Sequence, residues 1–112
     1  MNDPKARFES KADSARLTIN KFLAKMMEDP AYALCWSDEV FQAAARLKVA
    51  KQIISFFEGN FSAQQAREYV MDEVLCKSKY PAHSTSPASN LMEQYILAAY
   101  AEAVQALEQF EE

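Results

Sequence analysis

The chain of 112 residues contains one glycine, Gly59, and this scarcity limits its fold more than any other feature of the sequence. Tight turns between strands, and loops that bind phosphate through backbone amides, normally need glycine because it adopts positive φ without steric cost. Alanine, glutamate, glutamine, lysine and leucine are abundant instead, and all of them favour helix. The sequence therefore predicts an all-α fold, and its length suits a single helical domain over residues 1–112.

Four amphipathic segments joined by short connections predict an antiparallel bundle of four helices. The helices are predicted at about 4–28, 37–58, 62–77 and 88–110, with a short extra turn at 30–35. The buried stripe of the first helix is expected to contain Phe8, Ala12, Ala15, Ile19, Phe22, Leu23 and Met26. These residues recur every three or four positions, which is the spacing of one helix face.

Residues at the predicted helix ends agree with these boundaries. Asp3 precedes Pro4 as an N-cap followed by proline at the first helical position. Ser37 is predicted to cap the second helix, and Ser62 is predicted to begin the third helix in a capping box. Gly59 is expected to end the second helix in the left-handed conformation.

Charge is unevenly distributed along the chain, which has a net charge of −4. No lysine or arginine follows Lys79, so the last segment is acidic. A DNA or RNA surface needs clustered cations and is disfavoured. In an up-down-up-down bundle, the basic start of the first helix would lie beside the acidic end of the fourth. The residues concerned are Lys5, Arg7 and Lys11 on one side and Glu108, Glu111 and Glu112 on the other.

The fourth predicted helix is apolar over more than half of its circumference, more than three short companions are expected to cover. We therefore expect part of it to form an interface with another protein or with a second copy of the chain. The residues assigned to this interface are Leu97, Tyr100, Val104 and Leu107.

Groups that carry catalysis or bind metals are scarce in the sequence. The single histidine, His83, lies in a predicted loop beside three hydroxyl residues but has no orienting carboxylate nearby. Cys35 and Cys76 are isolated and are interpreted as small buried apolar residues. Adjacent carboxylates such as those of Asp38 and Glu39 point about 100° apart on a helix and cannot act across one bond. No catalytic, cofactor-binding or metal-binding residue is predicted.

These features favour a non-enzymatic protein that acts as an adaptor, inhibitor or assembly factor through protein–protein contacts, with a homodimer as one form. Three alternatives stay open. The first is a regulatory domain with a small-molecule pocket between helices, gated by residues 78–86. The second is a helix-turn-helix protein that reads DNA through Gln64, Gln65 and Arg67. The third is an enzyme that pairs Glu68 with Glu93.

No segment of the sequence predicts export or membrane insertion. The start of the chain lacks a basic region followed by an apolar stretch, and the longest apolar run, at 95–101, is far shorter than the roughly 20 residues that span a bilayer. Two isolated cysteines do not form a disulfide framework. A cytoplasmic location is therefore expected.

Overall fold

The computed structural model describes residues 3–75 and 87–110, and within these ranges the chain is helical and contains no strand. The elements are α1 (Pro4–Glu28), α2 (Ala31–Glu58), α3 (Ala63–Tyr69), a π-helical turn (Val70–Leu75) that continues α3, and α4 (Pro87–Glu108). The predicted all-α bundle is confirmed. Residues 76–86, which contain His83, Cys76 and the proposed gating loop, lie outside the described residues.

Two of the predicted helix starts are present with the expected hydrogen bonds. The Asp3 carboxylate accepts a hydrogen bond from the Lys5 backbone N–H at 3.0 Å, with Pro4 at the first helical position. The Ser62 hydroxyl accepts a hydrogen bond from the Gln65 amide at 3.1 Å, and the Gln65 side chain accepts one from the Ser62 amide at 2.9 Å. This capping box starts α3.

The start of α2 differs from the sequence prediction. The extra turn expected at 30–35 is present, but it is continuous with the second helix, which begins at Ala31 and not at Ser37. The Asp29 carboxylate accepts a hydrogen bond from the Ala31 amide at 3.1 Å, so the chain is already capped when it leaves α1. The two helical segments meet at Trp36, whose φ of −126° and ψ of 17° kink the helix.

The second helix ends at Glu58 as predicted, but the left-handed residue that follows it is one position later than expected. Gly59 has a φ of −87°, outside the left-handed region, whereas the following residue, Asn60, has a φ of 68°. Asparagine tolerates this conformation better than most residues because its short polar side chain bonds locally. The expectation that Gly59 supplies the left-handed residue is therefore wrong.

The helices form a flat arrangement in which α2 lies between α1 and α4. The ring pairs Phe8–Phe57 and Phe22–Tyr32 show that α1 and α2 are antiparallel. The Phe41–Tyr95 pair and an ion pair between Arg46 and Glu102 show that α2 and α4 run in the same direction. The molecule measures 47 × 37 × 20 Å, and α3 with its π-helical turn packs against α4.

The order of the helices, with α2 between α1 and α4, separates the basic start of α1 from the acidic end of α4, which the sequence analysis places side by side. Because α2 intervenes, α1 and α4 make few direct contacts, so the basic start of α1 does not lie along the acidic end of α4. Lys5 instead forms an ion pair with Glu9, one turn away on its own helix. Glu111 and Glu112 lie outside the described residues.

Packing differs between two regions of the molecule. The core end comprises the first half of α1, the second halves of α2 and α4, and α3. Its largest fully buried side chains are Phe8, Ile53, Val70 and Leu107. The hairpin end comprises residues 17–36, where α1 and α2 are joined. Phe22 is the one buried hydrophobic side chain that the structure describes within this range.

Candidate functional site

The residues that the sequence assigns to an interface lie mostly inside the bundle. Tyr100, Val104 and Leu107 are buried in the core, and only Leu97 is half-buried. The structure accounts for the wide apolar arc of α4, since α2 covers one side of the helix while α3 and the π-helical turn cover another. These four residues therefore do not form an exposed stripe.

A row of exposed residues lies on α1 instead, on the side that faces away from α2. The row consists of Leu17, Asn20, Ala24 and Met27, at spacings of three, four and three residues. At 3.6 residues per turn they fall within about 80° of arc, centred roughly 145° from the buried side chains of the same helix. Met27 is 83% exposed and Leu17 is 55% exposed. We call these four residues the outer row.

The margins of the outer row carry further apolar and basic groups. Leu23, which the sequence assigns to the buried stripe, is 44% exposed on one margin. Lys21 and Lys25 are exposed on the other margin, and neither side chain has an ion-pair or hydrogen-bond partner among the residues that the structure describes. By contrast, Arg16 on the Leu23 side is paired with Asp13 at 3.1 Å. Lys21 and Lys25 therefore bring two cations to one side of the row, where Glu28 at the end of α1 adds one exposed carboxylate.

A groove of about 670 Å³ lies between α1 and α4, along one face of α2. Its floor is made of small or apolar side chains that are themselves buried. They are Phe8, Ala15, Ala43, Val49, Ala50, Ala99 and Ala103. Polar side chains form the rim. They are Ser10, Lys11, Ser14 and Thr18 from α1, Glu39, Gln42 and Arg46 from α2, and Glu102 from α4. The groove exists because α1 and α4 do not meet over α2.

Charges at the rim of the groove are only partly balanced. Arg46 donates two hydrogen bonds, each 3.1 Å long, to the Glu102 carboxylate. This ion pair links α2 to α4 on one side of the groove. Hydrogen bonding to Glu102 raises the pKa of Arg46, although desolvation opposes the shift. Lys11 and Glu39 have no ion-pair or hydrogen-bond partner in the described part of the chain. Within that part, the rim therefore offers one free cation and one free carboxylate.

Across residues 3–75 and 87–110, no group of three or more His, Cys, Asp or Glu side chains could hold a metal ion. Cys35 is a free, exposed thiol beside the kink of α2, so its interpretation as a small buried residue is wrong. The Glu68 carboxylate accepts a hydrogen bond from the Gln64 side chain at 3.2 Å on its own helix.

The side chains considered for DNA reading make local contacts with neighbouring residues of α3 and its π-helical turn. Gln64 donates to Glu68, Gln65 completes the capping box, and an Arg67 N–H lies 3.3 Å from the sulfur of Met71. The helix that would enter a DNA groove has seven residues, Ala63–Tyr69. At 1.5 Å per residue this is about 10 Å of helix, which offers few side chains to base edges.

No protein-family model matches the chain, and neither a curated protein nor a solved structure resembles it significantly. Among the residues that the structure describes, no helix has the length and apolarity needed to cross a bilayer. The geometry alone thus defines the candidate sites, which are the outer row and the groove. Both involve α1.

Sequence reasoning missed the outer row, although a signal for it was present. Leu17 and Met27 are large apolar residues that fall outside the buried stripe of their helix. Apolar residues on the polar side of an amphipathic helix, repeated at heptad-like spacing, indicate a second contact surface. The much wider apolar arc of the fourth helix was the stronger pattern, and the interface was assigned there.

Proposed function

We propose that the protein is a non-enzymatic interaction module that binds an amphipathic helix of another protein along the outer row of α1. The observation that carries this proposal is the exposure of Met27 and Leu17 on one line of a helix whose opposite side is buried. Large apolar side chains gathered on one exposed line are typical of protein-binding surfaces.

The spacing of the outer row fits a helix as the bound element. Positions separated by three, four and three residues match the contact positions of packed helices, where side chains of one helix enter spaces between those of its partner. The row spans ten residue steps, or about 15 Å, which corresponds to nearly three turns of a bound helix. Ala24 allows close approach near the middle, and Asn20 can fix register through a polar contact.

The charges beside the row define the chemistry of the partner. Lys21 and Lys25 are exposed and lie one turn apart on the same margin, and within residues 3–75 and 87–110 they have no partner. A helix that places glutamate or aspartate along this margin would gain from both cations, whereas a basic helix would be repelled. We therefore assign an acidic amphipathic helix as the partner, contributed by a different protein.

A double substitution in the outer row tests the proposal. Leu17→Gln with Met27→Gln removes the apolar contacts while keeping good helix formers at exposed positions, so the free energy of unfolding should change by no more than about 0.5 kcal/mol. Proteins retained by the tagged chain are quantified by mass spectrometry. We expect the partner to be lost with this variant.

A matched control removes exposed apolar groups elsewhere. Met71→Gln with Leu91→Gln changes two side chains that are 39% and 46% exposed and that belong to the π-helical turn and to α4, not to α1. This control should retain the partner. The charge-reversal variant Lys21→Glu with Lys25→Glu should weaken binding of the partner.

If the outer-row variant retains every protein that the wild-type chain retains, the proposal is wrong. A doubling of molar mass in light scattering, abolished by the same variant, would instead assign the row to a second copy.

A further inference from the structure

We infer that the groove between α1 and α4 is a separate binding site for a small amphipathic molecule with one negative charge. The site differs from the outer row in place and in chemistry. Groove and row lie on different sides of α1, since Lys11, Ser14 and Thr18 face the groove whereas Leu17 and Met27 face away from α2. The inference does not depend on the proposed protein partner.

The floor of the groove suits an apolar body. Five of its seven side chains are alanines, and the space above them exists because no longer side chain fills it. Its volume of about 670 Å³ lies within the range of roughly 300–1,000 Å³ that is usual for small-molecule sites. The groove-lining residues of α2 extend from Glu39 to Ala50, which corresponds to about 16 Å along the helix axis. An elongated or fused-ring molecule fits this shape.

The rim determines the charge of the ligand and its orientation. Phe8 of α1 lies beside Phe57 of α2, so Lys11 is near the Ala50 end of the groove and Glu39 is at the opposite end. Arg46 is already neutralised by Glu102, which leaves Lys11 as the unpaired cation among the groove-lining residues. A single anionic group is therefore placed at Lys11, and Glu39 repels a second one at the far end.

Two fluorescent probes that differ by one sulfonate test this inference. The probes are 1-anilinonaphthalene-8-sulfonate and its uncharged analogue N-phenyl-1-naphthylamine. We expect saturable binding of the sulfonate, and we expect Lys11→Gln to raise its Kd about three- to fivefold, as for the loss of one exposed ion pair. The same substitution should leave the Kd of the uncharged probe unchanged. Lys48→Gln, which removes an exposed lysine of α2 outside the groove, is the matched control.

Variants that narrow the groove separate this site from other apolar surfaces. Ala99→Leu, at the buried floor of the groove, should abolish binding of both probes. If Ala99→Leu lowers the helix content, Ser14→Leu is used in its place. Ser14 is exposed in the groove wall, and its replacement by leucine should also abolish binding of both probes. Decanoate should displace the sulfonate probe more effectively than decanol does. The inference is overturned if the sulfonate does not bind saturably. It is also overturned if Lys11→Gln and Ser14→Leu leave its binding intact while the Leu17→Gln/Met27→Gln variant removes it.

Discussion

The two ends of the molecule contain similar side chains but bury them to very different extents. At the core end, α2 is covered by α1 on one side and by α4 on the other, and Ile53 and Leu107 are completely inaccessible. At the hairpin end, Leu17, Leu23, Met27 and Trp36 are all exposed. A pair of helices can bury one stripe from each partner, but it has no third element to cover residues outside those stripes. The exposed apolar surface of the hairpin end therefore results from the helix arrangement.

The largest expected difference between the ends is between two leucines. Leu107→Ala removes a completely buried side chain from the core end and should lower the free energy of unfolding by about 3 kcal/mol. Leu23→Ala removes a 44% exposed side chain at the hairpin end and should cost less than about 1 kcal/mol. Urea unfolding of both variants measures the two values. Equal costs would show that the two ends are equally well packed.

A smaller effect is expected at the ion pair that joins α2 to α4. A double-mutant cycle of Arg46→Gln and Glu102→Gln should give a coupling energy of about 0.5–1 kcal/mol, because both side chains are half exposed and the pair is screened by solvent. The coupling should shrink when the unfolding curves are repeated in 1 M salt. A coupling of zero would mean that apolar packing alone holds the two helices together.

The smallest effect concerns the buried phenol of the core end. Burial raises the pKa of Tyr100 above 10.0, with a contribution from Tyr69, because the phenolate is poorly solvated there. The neutral form is favoured in the folded state, so stability is unaffected below about pH 10 and decreases as the pH rises further. Tyr100→Phe should show a shallower alkaline decrease than the wild-type chain. Identical decreases in thermal unfolding would assign the effect to the other tyrosines.

Local signals in the sequence predicted the helices well. The scarcity of glycine, the Asp3-Pro4 start and the Ser62–Gln65 capping box depend on neighbouring residues only, and all three agree with the structure. The start of α2 was predicted six residues late because Ser37 and Asp29 are both plausible caps. Only the structure shows that the Asp29 carboxylate bonds to the Ala31 amide.

The placement of the candidate site could not be predicted from the same signals. The apolar arc of α4 shows how much surface must be covered, but it does not show whether another part of the chain or another molecule covers it. Here α3 and its π-helical turn complete the cover. Leu23 lies at the edge of the buried stripe of α1, where a rotation of a few tens of degrees decides between burial and exposure. The groove depends on α2 lying between α1 and α4, which no local pattern specifies.

The kink in α2 has a spectroscopic consequence. Trp36 is the single tryptophan of the chain, is 52% exposed and lies 6.3 Å from the ring of Tyr32. Its emission therefore reports on the joined ends of α1 and α2, whereas far-ultraviolet circular dichroism averages over every helix. If the loosely covered region separates before the rest of the bundle melts, the emission maximum will shift at a lower temperature than the ellipticity falls.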